Sequence, residues 1–230
     1  TMTSEEEEEY KVQSQKIGIL YSKINAPGVA PVRRLELQNE LTVAQNNRKK
    51  IIRKAENKTS VCREILNQFF NSNDKAIIFC DDSEQEKSII NILREQNKEM
   101  REYSAKRTPS EKNSALRDFK SGIVNFLLGI KMLDEGIDIP DVEKCLIVAS
   151  TTNPREFIQR RGRILRIPID NPDKIAIMHD LVTLPTISIP QDRDLTSSEE
   201  STIDSSVKII KDEFDRVKQL ITSADNSEQV

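Results

Sequence analysis

Between residues 75 and 183, short apolar runs alternate with segments that carry helix-start signals, and this alternation limits the fold more than any other feature of the chain. Lys75-Ala-Ile-Ile-Phe-Cys80 is almost wholly apolar. It lacks the two-residue alternation of a strand with one wet face, as expected of a parallel strand covered on both sides. Met100–Ser104, Val124–Ile130, Lys144–Ser150 and Lys174–Leu184 read as further strands. Ser83-x-x-Glu86 predicts a capping box that opens a helix through about Asn97. Thr108-Pro109-Ser110-Glu111 predicts a better start, with an N-cap, proline at the first helical position and glutamate at the third. That helix runs to Ser121-Gly122, where glycine ends it. Asn153-Pro154-Arg155-Glu156 opens another helix by the same logic. Helices interposed this regularly imply an α/β fold with a mostly parallel sheet and right-handed crossovers.

The flanks read differently. Residues 1–30 are expected to be a partly disordered leader, because Glu5–Glu9 is a solvated charge run. Thr1-Met2 reads as residual tag sequence. Residues 31–72 form a helical lead-in: Leu37, Leu41, Ala44, Arg48, Ile51 and Ala55 recur at helical spacing, and Val61, Ile65, Leu66 and Phe69 make a second apolar face. The α/β domain occupies 73–187. Residues 188–230 are a polar linker and an amphipathic helix whose stripe is Ile203, Val207, Ile210, Phe214, Val217 and Ile221. That stripe predicts core packing, or docking onto a further part of the protein.

Composition removes several function classes. His179 is the sole histidine, so histidine-based metal sites and Ser-His-Asp triads are excluded, and no metal ligand is assigned. Cys62, Cys80 and Cys145 lack metal-binding spacing and read as buried reduced thiols. Aromatics at 4% with no Trp argue against base-stacking platforms, and a net charge of −3 argues against a broadly basic nucleic-acid binder, although local patches escape such a count. No run approaches a membrane span and no signal peptide leads the chain, so a cytoplasmic location is expected.

The sharpest local signal is Gln159-Arg160-Arg161-Gly162-Arg163-Ile164-Leu165-Arg166. Asn153-Pro154 fixes a helix start and Gly162 its end, which predicts Arg163 and Arg166 in a restricted loop beyond it. Guanidinium groups held there are what a developing phosphoryl charge requires. The segment resembles motif VI of superfamily 2 helicases, Q-R-x-G-R-x-x-R. By that resemblance Arg163 and Arg166 are arginine fingers and Gln159 a contact in the nucleotide cleft. Leu127–Pro140 carries Asp-Glu-Gly-Ile-Asp-Ile-Pro nineteen residues before Gln159 and resembles motif V. The resemblance implies that Gly136 permits close backbone approach, and that Asp138 contacts the nucleotide ribose or orders the arginines. Ala76–Cys80 fits motif IV. Tyr103-Ser-Ala-Lys-Arg fits the family segment Y-H-G, which places Ser104, Lys106 and Arg107 in a loop that contacts the nucleic-acid backbone in relatives.

One departure matters. Where many DEAD-box proteins have Ala-Thr-Asp, this chain has Gly129-Ile130-Lys131, so the threonine contact does not transfer. Lys131 reads equally as a phosphate contact or as a surface lysine without a role. These features look more like XPB-type and restriction-associated DNA helicases than RNA helicases. The resemblance implies a RecA-like domain with helical N- and C-terminal extensions, acting on DNA rather than RNA. ATP and Mg²⁺ would be bound mainly by a first RecA-like domain, because this sequence has neither GxxxxGK[ST] nor a DEAD-type acidic box. The other reading is a stand-alone, non-catalytic RecA-like binding or regulatory domain.

Overall fold

The computed structural model describes residues 1–104, 106–130, 142–148, 176–185, 194 and 197–221. The chain divides into two compact units, Lys58–Leu181 and Thr1–Asn57 with Val182–Val230.

In the first unit β1 (Ala76–Cys80), β2 (Met100–Glu102), β3 (Phe126–Ile130), β4 (Lys144–Ile147) and β5 (Ile177–Asp180) pair in the order β2-β3-β1-β4-β5. Every pair is parallel. β1 sits at the centre, with Ile78 opposite Leu128 on one side and Leu146 on the other. All five of its residues are buried, which explains its unbroken apolar run. Along a strand successive side chains face opposite sides. Ala76, Ile78 and Cys80 join Phe126, Leu128 and Leu146 in one core cluster. Cys62, Leu66 and Phe70, from helix α3 (Asn57–Phe69) and the residue after it, belong to this cluster. So do Ile89, Ile92 and Leu93 of helix α4 (Ser83–Glu95). Ile77, Phe79, Leu127, Cys145 and Ile147 alternate with that set and are buried too. The mostly parallel α/β sheet expected from the sequence is therefore present.

Local signals placed the helix starts near Ser83 and Pro109 to within a residue, while the start expected at Asn153-Pro154 lies outside the described residues. Helix α5 (Pro109–Lys120) begins as expected: Thr108 Oγ1 accepts from Glu111 N at 3.3 Å and Glu111 Oε2 accepts from Thr108 N at 2.8 Å. Gly122 follows the Ser121 cap at φ 77°, the left-handed conformation that glycine adopts without strain. In α4 the cap is Asp82, not Ser83. Its Oδ1 accepts from both Glu84 N and Gln85 N at 3.0 Å, so Glu86 lies inside the helix and makes no capping box.

The second unit corrects the reading of the leader. Residues expected to be partly disordered form helix α1 (Ser4–Ile24), capped by a reciprocal Thr3–Glu6 box. The acidic run supports the helix, because Glu5, Glu6 and Glu7 lie in its first turn against the positive end of the helix dipole. Tyr10, Ile17 and Leu20 recur at three- and seven-residue steps and bury one face. Helix α2 (Pro31–Arg53) opposes it with Leu37, Ala44 and Ile51. Ile17, Leu20, Leu37 and Ala44 share one cluster, while Tyr10 and Ile51 join Met2 and Ile209 in another. Ile209 comes from helix α6 (Ser197–Ile221). The expected lead-in of 31–72 is thus divided, with α2 in this unit and α3 in the sheet's core. In α6 the expected stripe is buried only in part, with Ile203, Ile210 and Val217 half-buried. Val207 is 51% and Phe214 61% exposed, whereas Ser206 and Ile209 are buried. The side chain of Ile221 lies outside the described residues.

Candidate nucleic-acid interface

Parallel pairing puts the carboxyl ends of β1, β2 and β3 on one edge of the sheet, where α/β folds bind ligands. From that edge emerge Asp81-Asp82 after β1 and the residues from Tyr103 to Thr108 after β2, and β3 ends there at Ile130. The turn after β2 contains three of the sequence-derived site residues, Ser104, Lys106 and Arg107.

Tyr103 N donates to Leu128 O at 2.7 Å, which extends the β2–β3 ladder by one residue. The Tyr103 ring is buried, with Lys112 Nζ over its face at 5.5 Å from the centroid. Ser104 is buried at 3% exposure and its Oγ has no hydrogen-bond partner among the described residues. Its carbonyl accepts from Arg107 N at 3.1 Å, closing a turn of four residues. Lys106 is exposed, and among the described residues its ammonium makes no hydrogen bond or ion pair.

Arg107 is engaged on two sides. Its Nη2 donates to Glu102 Oε2 at 2.6 Å and its Nη1 to Glu111 Oε1 at 3.3 Å. Glu102 ends β2 and Glu111 lies in the first turn of α5, so the guanidinium ties strand to helix across the turn. The hydrogen bond from Thr108 N is the main reason the Glu111 carboxyl sits below the usual range, followed by that from Thr108 Oγ1, with Arg107 adding to both. Glu86, in the first turn of α4, is 4% exposed and its Oε1 has no partner among the described residues. Burial pushes its carboxyl up, and the charge of Glu102 pushes the same way, while Lys106 and Arg107 pull it down.

Of the sequence-derived set, the structure brings Ser104, Lys106 and Arg107 together. Arg163, Arg166, Gly136, Asp138, Gln159 and Lys131 lie outside the described residues. Sequence reasoning missed Glu102, Glu111 and Glu86. The Arg107–Glu111 spacing of four was a legible signal, since such residues neighbour each other along a helix. Cys62, Cys80 and Cys145 are free and buried, as expected. Burial pushes the Cys62 thiol up to about 12. Among the described residues no group of three or more His, Cys, Asp or Glu is placed to hold a metal ion. No described helix is long and apolar enough to cross a membrane.

Residues 56–168 match the helicase conserved C-terminal domain, a span that takes in the sheet edge, the Ser104–Thr108 turn and both sequence motifs. Over these residues the chain is similar to the C-terminal domain of superfamily 2 helicases. It is 28% identical over 149 residues to the DNA 3'-5' translocase XPB2 of Sulfurisphaera tokodaii, which covers 65% of this chain and 30% of that protein. It is 29% identical over 120 residues to the ATP-dependent RNA helicase DBP3 of Ajellomyces capsulatus, covering 51% and 25%. The chain thus spans less than a third of these helicases. The SWI2/SNF2 ATPase core domain of Sulfolobus solfataricus shares the fold at a TM-score of 0.52 and 18% identity, over 81% of this chain and 39% of that one. The RecA-like architecture expected from the motifs is the one found.

Proposed function

We propose that this chain is the second motor domain of an ATP-dependent DNA helicase or translocase, and that it completes an ATP site held mainly by a first RecA-like domain. The observation that carries the reading is the helicase C-terminal match over residues 56–168, which spans Gly136, Asp138, Gln159, Arg163 and Arg166. The structure supports it at one point. β3 ends at Ile130 directly beside Cys80 of β1, at the carboxyl edge of the sheet, and in sequence Ile130 precedes Asp134-Glu-Gly-Ile-Asp-Ile-Pro140 by four residues. In this reading Arg163 and Arg166 stabilise charge on the transferred phosphoryl group. Gln159 and Asp138 contact the nucleotide or order the arginines, and Gly136 lets the backbone approach. The first domain supplies the phosphate-cradling loop and the Mg²⁺ ligands, and bound Mg²⁺ would neutralise charge on the β- and γ-phosphates.

Ser104, Lys106, Arg107 and Lys131 then belong to the nucleic-acid track. DNA is favoured over RNA by the 149-residue similarity to a protein named as a DNA translocase, and by Gly129-Ile130-Lys131 in place of Ala-Thr-Asp.

The test is DNA-stimulated ATPase kinetics in the longer protein that includes the first RecA-like domain, with thermal melts alongside. Arg163→Ala and Arg166→Ala should each lower turnover by at least about a hundredfold, with a smaller change in ATP affinity and little change in melting. Near-normal turnover in both variants would refute the finger assignment. Low turnover with a collapsed melting temperature would show that these arginines hold the domain together instead.

A further inference from the structure

Arg107 and Lys106 are adjacent cations in the turn after β2, yet their surroundings are opposite. Two of the five guanidinium donors of Arg107 are spent on carboxylates, one at the end of β2 and one in the first turn of α5. Glu111 is itself fully used: Oε1 accepts from Arg107, while Oε2 accepts from Thr108 N and Thr108 Oγ1, both at 2.8 Å. Two carboxylates and one guanidinium leave the triad with a net charge of −1, so Arg107 in this arrangement offers no net attraction to a phosphate. A phosphate approaching its three remaining donors would also meet the charge of both carboxylates. Lys106 is exposed, and although its charge acts on Glu86 its ammonium is not held in a fork between two carboxylates. The backbone that carries it is pinned on both sides, by Arg107 N to Ser104 O and by the Thr108 cap.

We propose that Arg107 is a positioning residue: its guanidinium, forked between Glu102 and Glu111, fixes the Ser104–Thr108 turn so that Lys106 meets the nucleic-acid phosphate. This rests on the assignment of the turn to the nucleic-acid track. The planar fork is what the role needs. An ammonium is a point charge that cannot hold two carboxylates in fixed directions. Arginine is therefore required here for its shape, and lysine at 106 for its charge.

Fluorescence anisotropy with a labelled single-stranded DNA, titrated with this chain at salt concentrations from about 50 to 200 mM, separates the two roles. Lys106→Ala should flatten the slope of log affinity against log salt by about 0.7, the share of one phosphate contact on a single strand. Arg107→Ala should weaken binding roughly five- to tenfold, the equivalent of about one hydrogen bond, and leave the slope as it is. Arg107→Lys should behave like Arg107→Ala, since it keeps the charge and loses the fork. Glu102→Ala is the sharpest arm. Removing a negative charge should tighten binding to an anion if only charge matters, but here it should weaken binding, at unchanged slope, by releasing the turn. Should Arg107→Ala fail to melt cooperatively, Arg107→Lys and Glu102→Ala carry the comparison.

The inference is overturned if Arg107→Ala flattens the slope as much as Lys106→Ala, if Arg107→Lys restores wild-type binding, or if Glu102→Ala tightens it. A different outcome strikes the underlying assignment. If the unaltered chain shows no salt-dependent binding, or Lys106→Ala changes neither affinity nor slope, the turn is not on the track at all.

Discussion

Leu66 tests whether α3 is part of the sheet's core or only a lead-in to it. Its side chain is fully buried and lies in the cluster that contains Ile78 and Leu146 of the central strands. Leu66→Ala deletes three carbon atoms. At about 0.8 kcal/mol for each, the transfer term alone is roughly 2.4 kcal/mol. The cavity left in a site that relaxes only in part raises the expected loss to about 3–5 kcal/mol. The assay should read this unit and not the helical one, and the cysteines allow that. Cys62, Cys80 and Cys145 are all buried, and all lie between Lys58 and Leu181. Burial pushes the Cys62 thiol up to about 12 and that of Cys80 well above its ordinary value, so these two have almost no reactive thiolate in the folded unit. Labelling by a thiol reagent across a urea series therefore reports unfolding of the sheet. With a urea dependence of about 1–3 kcal/mol per molar, the midpoint should fall by about 1–5 M. Val61→Ala is the control on the same helix. Val61 is 38% exposed and its loss should shift stability by no more than about 0.5 kcal/mol. A loss below about 1 kcal/mol for Leu66→Ala would mean that the sheet folds without α3, and that the domain begins near residue 73 after all.

Two further outcomes follow from the candidate interface. Thr108→Ala removes the acceptor for Glu111 N and should cost roughly 1 kcal/mol, read as a loss of about 2–4 °C in the melting temperature; an unchanged melt would show that the cap contributes nothing. Glu86 holds its proton more tightly when folded than when unfolded, mainly through burial, so its contribution is full below the ordinary glutamate range and is lost as the pH rises from there through the folded value. Glu86→Gln, neutral and of the same size, should remove that loss and raise urea stability at pH 7 relative to pH 4, whereas an identical pH profile in both proteins would refute the assignment.

How much of this was legible in the sequence depends on how far apart the deciding atoms lie along the chain. The Thr108–Glu111 box could be read directly, because donor and acceptor are three residues apart and nothing else competes for them. The cap of α4 was placed one residue late. Asp82 and Ser83 are both good caps, and the choice fell to the carboxylate that reaches two N–H groups at once. Glu86, outside the cap, is buried, and the charges of Glu102, Lys106 and Arg107 act on it, which no local pattern announces. The acidic leader failed in the other direction. Composition reads Glu5–Glu9 as solvated, yet the apolar residues that make α1 pack, Tyr10, Ile17 and Leu20, begin only where that run ends. Arg107 shows the same limit at the site. Counting cations in the Tyr103–Arg107 segment assigns two of them to the nucleic-acid backbone, because a sequence records a charge without its neighbours. Glu102 lies five residues before Arg107 and on a strand, where no helical spacing rule announces the pair, and the proposed bracing role of Arg107 rests on its 2.6 Å contact.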